Sequence, residues 1–427
     1  FKIFFSKNRV SKKQVTPNKI PSSLVSKQNL SCIFWNLYGF NTLYNLSAQD
    51  IDKIVNVDIF CLYETWITSN LVIKPNFLQE FDYFLVKASK YFVKGRASGG
   101  IIIFLRKSLF NNIRVLISKD WFLCLLVEYD NKTIVIGTVY WKPGPENNYL
   151  LEEISNDLNY LFFNYGQFHI IIGGDWNARI GSLNNLDDEI CNSCNFSGQR
   201  SSMDGIIDKR GEKLIDIMES VGMIVCNGRS PSDIPAQYTY SGPNGCSVVD
   251  NVWVSFSCVN VVNDLKILDI CEFSDHFPCL LSLNYKYDNN NSKPTTQITR
   301  IHRNATNLSL FKAILESSPN QFDPNLNINE LCNNFTDAIK SHLSEADILK
   351  TQTLKTVNPN KPWFDSRCYK AKKEVRDRLK NCRQNSFSPN SLNLFLSAKK
   401  SYKNLINHIK FEYIQKLNSK LETVKNS

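Results

Sequence analysis

The sequence contains no apolar run near the roughly 20 residues that a membrane span needs. Its opening FKIFF gives way at once to SKNRVSKKQ, which is too short for the core of a signal peptide. It also lacks the cysteine spacing of a disulfide framework. The 13 cysteines are odd in number and scattered singly through apolar runs such as IFCLYE and WFLCLLVEY, which suits reduced core thiols. Cys191 and Cys194 form one CxxC, but no second pair follows at zinc-finger spacing, so a polar loop is favoured there over a metal site. These absences lead us to expect an intracellular chain without a membrane partner. The first residue is Phe rather than Met, which suggests a fragment or a processed product.

What is present is ordinary globular material, 43% hydrophobic and 21% charged in 427 residues, enough for two domains with cores. The net charge of +10 is spread unevenly. The first 30 residues hold seven Lys and Arg and no acid, residues 31–285 hold 19 against 28 acids, and residues 286–427 hold 24 against 12. A mildly acidic globule flanked by basic arms points to nucleic acid, DNA and through the arms RNA, with a plain solvated tail as the alternative.

The organisation follows the same divisions. Residues 1–29 read as a basic flexible leader, 30–285 as one domain, 286–300 as a polar linker around DNNNSKP, and 301–427 as a basic region that looks all-helical. Within 30–285, short β-branched and aromatic runs predict strands at 30–35, 58–63, 100–105, 113–117, 122–129, 133–140, 169–172, 223–226, 247–254 and 278–283. Helical spacing predicts helices at 48–55, 148–165 and 209–221. That mixture suggests two packed sheets with helices outside. Beyond the linker, helical patterns lie near 308–316, 328–343, 365–381 and 392–421. The basic stretch 361–380 interleaves Trp363, Phe364 and Tyr369, so it serves either phosphate contact or helix anchoring.

Several of the apolar strands end in residues that bind metals or steer protons. CIFW ends at Asn36, IFCLY at Glu64, the strand TIVIGTV at Tyr140, and HIIIGG at Asp175 and Asn177. A strand end is rigid yet open to solvent, which suits a catalytic group. Taken singly, each has a plain alternative; in GGDWN, for instance, Gly174 makes a turn and the polar pair caps nearby amides. Asp250 in SVVD lies in an otherwise apolar strand and needs a partner. The only histidine beside an acid, His276 in SDH, could supply it, with Asp250 fixing the imidazole tautomer. Hard oxygen donors at Glu64, Asn36 and Asp175 favour magnesium or manganese over zinc. His169 begins its strand and reads as structural, and Asp187-Asp188 reads as a charged loop.

Taken in order, WN at Asn36, ETW at Glu64, VY at Tyr140, GDWN at Asp175, SxxD at Asp250 and SDH at Asp275 and His276 resemble the endonuclease/exonuclease/phosphatase superfamily. KGRASGG at 94–100 and the ETW form resemble the endonucleases of non-LTR (LINE-type) retrotransposons, and KPWFD at 361–365 is similar to the connector leading to their reverse transcriptase. The resemblance implies a four-layer α/β sandwich, two packed central sheets with outer helices, followed here by a helical C-terminal region. It implies a magnesium-dependent phosphodiesterase, most like an endonuclease that nicks DNA to leave a 3′ hydroxyl for reverse transcription. Such an enzyme would work in the nucleus.

By the same resemblance Glu64 and Asn36 hold the metal, with Asp275 as a further metal or outer ligand. Asp175 orients and deprotonates water with Asn177 beside it, Tyr140 donates to the phosphate, and Asp250 and His276 contact it from the other side. Whether Asp175 or His276 is the base stays open. Thr239 in QYTYSG falls where related endonucleases approach the DNA strand. Asn251 stands where the family often has an aromatic. Other readings are the same fold acting as an abasic-site nuclease or other phosphodiesterase or phosphatase, or a non-catalytic nucleic-acid-binding relic.

Overall fold

A computed structural model describes residues 28–90, 95–144, 149–187, 191, 194–287, 296–301, 305–317, 328–346, 348–354 and 361–425. Nearly all of the expected basic leader, Lys94 of KGRASGG, Asp188 and most of the expected linker lie outside the described residues. By packing, the chain forms two units, one of Lys27–Tyr287 with Pro359–Ser427 and one of Phe1–Ser26 with Asp288–Asn358.

The larger unit is built on two six-stranded sheets. Strands β1 (Gln28–Asn36), β2 (Ile59–Tyr63), β3 (Phe81–Val86), β4 (Ile101–Arg106), β13 (Val262–Ile267) and β14 (Cys279–Tyr287) form the first, in the order β13-β14-β1-β2-β4-β3. Strands β5 (Phe110–Ser118), β6 (Phe122–Tyr129), β7 (Lys132–Tyr140), β8 (His169–Asp175), β9 (Met223–Val225) and β12 (Asp250–Ser255) form the second, in the order β5-β6-β7-β8-β12-β9. A small ribbon, β10 (Tyr240–Gly242) with β11 (Gly245–Ser247), precedes β12.

Side-chain alternation decides which layer each residue joins. From β8, Ile171 enters the core between the sheets with Phe34, Cys61, Ile103, Ile136 and Val252, whereas Ile170 and Ile172 face outward. Outside the second sheet they meet α3 (Leu150–Tyr165) and α4 (Lys209–Ser220) through Ile154, Leu158, Leu161, Leu214 and Met218. Outside the first sheet, Ile33, Trp35, Phe60 and Ile102 pack under α1 (Asn41–Asn45) and α2 (Ala48–Ile54). The result is the expected four-layer sandwich, helices outside two packed sheets.

Local chemistry sets the helix starts. Ser47 and Asp50 form a reciprocal capping box on α2, and Asp208 accepts from the Gly211 amide at 2.7 Å to open α4. Two local expectations change. β8 runs past its expected end at residue 172 through Gly173 and Gly174 to Asp175, so the alternative of a turn at Gly174 does not hold. A Cβ on Gly173 would lie 2.4 Å from Phe34 Cδ1, and one on Gly174 would lie 2.0 Å from Val139 O, so glycine is required there by close approach. Asp250 starts β12 and does not sit within a longer strand, since the expected 247–254 run is divided between β11 and β12.

Two helices close the larger unit, α7 (Ser366–Gln384) and α8 (Pro389–Lys425). Asp365 of KPWFD caps α7 through the Arg367 and Cys368 amides at 2.9 and 3.2 Å. The interleaved aromatics serve as anchors: Phe364 packs on both Trp363 and Tyr369, and Lys361 and Lys410 lie over the Trp363 ring. Cys368, Val375, Leu379, Cys382, Phe395, Tyr402 and Ile406 are buried in one cluster with the core between the sheets. The smaller unit contains α5 (Ala305–Ser317), α6 (Ile328–Glu345) and an antiparallel pair, β15 (Thr296–Ile301) with β16 (Leu349–Leu354). β15 falls on the end of the expected linker, and β16 shows that the region after it is not all-helical as expected; the β-branched residues of TQITRI and LKTQTL suit a ribbon. Among the described residues, no helix is long and apolar enough to cross a membrane.

Candidate active site

Strand register brings the motif residues together. β7 and β8 run parallel with Tyr140 opposite Asp175, and β12 runs antiparallel to β8 with Asp250 opposite Asp175. Three strand ends thus place three functional side chains abreast. Across the sandwich, Asn36 ends β1 opposite Tyr63 of β2, and Glu64 follows Tyr63 directly. Glu64 and Asn177 turn off their strands in the left-handed backbone region, at φ 51° and 45°, which Asn tolerates better than Glu. Holding Glu64 there stores local strain of the kind found at functional sites.

Hydrogen bonds then tie the two sheets at the cleft. The Asn36 Nδ2 donates to Asp175 Oδ2 at 3.0 Å, and the Asn177 amide donates to Asp175 Oδ1 at 3.0 Å. The Asn177 side chain is held by Trp141 O at 2.9 Å. Tyr140 donates its hydroxyl to Glu64. Asp250 receives the Tyr63 hydroxyl at 2.8 Å on one oxygen and faces His276 Nδ1 at 2.7 Å with the other. The far nitrogen of His276, Nε2, stands 3.8 Å from Asp175 Oδ2. Asn36, Asp175, Asn177, Asp250 and His276 therefore belong to one connected network, and the bonded pair of Tyr140 and Glu64 lies beside it, close enough for the Glu64 charge to act on Asp175.

The burial of this network sets its acid–base behaviour. Asp175 is pushed up to about 7, first by burial and then by the neighbouring Asp250 and Glu64 charges, against the opposing His276. Burial alone would lower His276, but the charges of Asp250 and then Asp175, with the Asp250 bond, outweigh it and raise the imidazole to about 9. Burial likewise drives the Tyr140 hydroxyl above its ordinary range, with Glu64 adding to it, so Tyr140 remains a donor.

The two remaining expected residues are placed differently. Asp275 pairs with Lys399 of α8 at 2.7 Å. Burial would raise the Asp275 carboxyl, but that ammonium outweighs burial and holds it below the usual range. Thr239 is fully buried beneath the cleft, where its hydroxyl accepts the Val249 and Asp250 amides at 3.1 and 3.0 Å. It supports the strand end that carries Asp250. Asn251 is also fully buried, and β12 alternation turns it away from Asp250. His169 stacks on Tyr285 and bonds its hydroxyl, a structural position.

Sequence reasoning missed three supports. Tyr63 orients Asp250; it sits one residue before Glu64, where strand alternation would have pointed it into the sandwich. Ser274 donates to Asn36 O at 2.7 Å and accepts the His276 amide at 3.1 Å, fixing the SDH turn. Lys399 lies too far along the chain for any local motif to reveal it.

As a metal site, Asp175, Asp250 and His276 offer ligand atoms within 4.8 Å of one another. The bond between Asp250 and His276 commits two of those atoms to each other, whereas Glu64, Asp175 and Asn36 supply hard oxygens. The mutual repulsion that helps raise Asp175 is what a hard dication would relieve, so the donor set fits one.

A family described as endonuclease-reverse transcriptase matches residues 134–280, which include Tyr140, Asp175, Asn177, Asp250 and His276. No curated protein matches the chain. Among solved structures, the chain is similar to the endonuclease domain of TRAS1, a telomere-specific non-LTR retrotransposon, at 13% identity and a TM-score of 0.41, covering 60% of this chain and 98% of that one. It is similar to the AP endonuclease LMAP from Leishmania major at 15% identity and a TM-score of 0.45, covering 60% and 88%. It is also similar to the 3′-5′ exonuclease NExo from Neisseria meningitidis at 13% identity and a TM-score of 0.43, covering 60% and 100%. Over residues 134–280 the chain resembles the endonuclease-reverse transcriptase family, and the matched stretch spans the site, which supports a domain of the endonuclease/exonuclease/phosphatase type that resembles the endonucleases of LINE-type retrotransposons.

Proposed function

We propose that the protein is a divalent-metal-dependent endonuclease that nicks DNA and leaves a 3′ hydroxyl able to prime reverse transcription. The observation that carries this reading is the pairing of Asp175 with an Asp250-held His276 across two strand ends, within the stretch that matches the endonuclease-reverse transcriptase family. At neutral pH the two groups divide the labour. His276, raised to about 9, stays protonated and donates from Nε2 to a phosphate oxygen, while Asp175, near 7, accepts a proton from the attacking water. Asp250 and Tyr63 keep Nδ1 of His276 fixed. Asn177 orients the same water and a phosphate oxygen, and Tyr140 supplies a second neutral donor to the phosphate. Glu64 and Asn36 would hold Mg²⁺, with Mn²⁺ able to replace it, and the ion when bound neutralises charge on the phosphate. A chromosomal DNA substrate would place the protein in the nucleus.

Conversion of supercoiled plasmid to open circles with Mg²⁺ tests the reading. Asp175→Ala is expected to slow nicking at least about a hundredfold, within the range for a lost general base. Glu64→Ala is expected to shift the Mg²⁺ titration to higher concentration. Equal relaxation by wild type and Asp175→Ala would sink the proposal. Cleavage confined to duplexes that carry an abasic site would move the reading to an abasic-site nuclease, and no cleavage of any DNA would make the domain a binding relic.

A further inference from the structure

Helix α8 runs along one side of the cleft. Its Lys399 ammonium lies 2.7 Å from Ser274 O and 2.7 Å from Asp275 Oδ1, which holds the helix against the turn that carries His276. Lys403 and Asn407 follow at i+4 and i+8, on the same face of the helix. Both line a groove of about 650 Å³ whose lining also includes Tyr38, Trp66 and Phe273. This groove opens from the catalytic edge. The Tyr38 amide donates to Asn36 Oδ1 at 3.0 Å, and Trp66 follows Glu64 by two residues.

The chemistry of the lining is selective. It includes no acidic side chain, and Lys403 is its one charged residue. Lys403 stands 4.0 Å from Asp275, whose nearer partner is Lys399, so its ammonium is available to a ligand. At the lip, the Arg96 guanidinium sits 5.0 Å from the Tyr38 ring centre and 4.6 Å from that of Trp66, and Tyr38 is 40% exposed. Aromatic faces flanked by cations, with no carboxylate in the lining and the nearby Asp275 held closer to Lys399, suit a nucleobase and its phosphate. The volume falls in the range of small-ligand sites, enough for one nucleotide.

We propose that this groove binds one nucleotide of the substrate DNA beside the cut phosphate, its base against Tyr38 and its phosphate on Lys403, with Asn407 as a polar contact. Helix α8 is then part of the substrate-binding machinery of the endonuclease, although it follows the catalytic motifs by more than a hundred residues. This inference rests on the nuclease reading and sharpens where the strand lies.

The full chain is tested as wild type and as Lys403→Ala, Lys403→Arg and Tyr38→Ala, each first shown by thermal melting to fold like wild type. Plasmid nicking is expected to show KM raised about tenfold in Lys403→Ala and Tyr38→Ala, the size of one contact, with kcat unchanged. Lys403→Arg is expected to recover wild-type KM. In parallel, an Asp175→Asn background binds a fluorescently labelled duplex oligonucleotide across a salt series. There Lys403→Ala is expected to flatten the salt dependence by about one unit of slope, and Tyr38→Ala to leave the slope unchanged. Unchanged KM in both alanine variants overturns the groove, as does a fall in kcat alone, which would mean that Lys403 acts only by supporting Asp275. If wild type fails to nick, the nuclease reading fails separately, and the salt series still decides whether Lys403 meets phosphate.

Discussion

At the scale of single residues, the site is a titrating pair. Asp175 and His276 lie 3.8 Å apart, and each biases the other, so the protons leave in two steps that belong to the pair. Activity that needs ionised Asp175 and protonated His276 rises with pH through about 7 and falls through about 9. The Asp250 carboxylate is the foremost charge holding the imidazolium. Replacing it with a neutral amide removes that charge, so His276 loses its proton at lower pH. The same charge helps raise Asp175, so the pH profile of kcat/KM for Asp250→Asn is expected to move both limbs downward, the alkaline limb further because His276 also loses its bond to a carboxylate. An alkaline limb that stays near 9 would show that His276 does not set it.

Asp175 was legible in the sequence because it ends an apolar run, and Asp250 and His276 because each stands in a short polar motif beside an apolar strand, which can be read locally. The neighbours that tune them were not. Tyr63 was hidden inside a run read as pure core, and Lys399 pairs with Asp275 across 124 residues of chain. Asp275 shows the consequence: its motif suggested a ligand, and only the distant ammonium explains why its carboxylate is engaged elsewhere.

At the scale of elements, β8 carries the most constraint for its length. Its isoleucines serve two different cores on alternate faces, and its register against β7 and β12 lines up Tyr140, Asp175 and Asp250. The two glycines let that happen. A methyl on Gly173 would strike the Phe34 ring, which side-chain motion relieves in part. The same methyl on Gly174 would strike the Val139 carbonyl and amide of the paired strand, which cannot move without breaking the ladder. Both Gly173→Ala and Gly174→Ala are expected to destabilise, each by about 1–3 kcal/mol or more. Gly174→Ala is expected to be the worse in denaturant unfolding and to lose nicking as well. A wild-type midpoint for Gly174→Ala would refute the close-approach argument. Periodicity found β8 but ended it at Ile172, because glycine weakens every strand signal and the reason for glycine here lies on neighbouring strands. β3 and β13 were missed for a related reason: each lies at an edge of its sheet and mixes exposed with buried positions.

At the scale of the molecule, charge explains why the last two helices belong with the catalytic unit. The basic excess of the C-terminal region looked like a surface for nucleic acid, yet much of it is spent inward. Lys372 and Arg376 of α7 both pair with Asp50 of the α2 capping box and lie 3.5 and 3.6 Å from Glu272, and Lys372, Asp50 and Glu272 are all buried. Arg383 pairs with Asp269, Lys361 holds the carbonyls of Tyr44 and Leu46, and Lys410 reaches Asn45. Against a globule with more acids than bases, these cations complete the structure. Removing one member of a buried ionic cluster leaves an uncompensated charge, at about 3–5 kcal/mol. Lys372→Met is thus expected to lower the thermal midpoint by roughly 10 °C, while Lys373→Met, one position along the same helix, is expected to leave it near wild type. Truncation before α7 unpairs Asp50, Asp269, Glu272 and Asp275 together and uncovers the apolar surface that α7 and α8 bury. The shortened chain is expected to aggregate or to melt well below the intact protein in scanning calorimetry. A truncated chain that melts and nicks like the intact one would mean that these helices are the separable connector their motif suggested, and would also remove the wall that the proposed nucleotide groove requires.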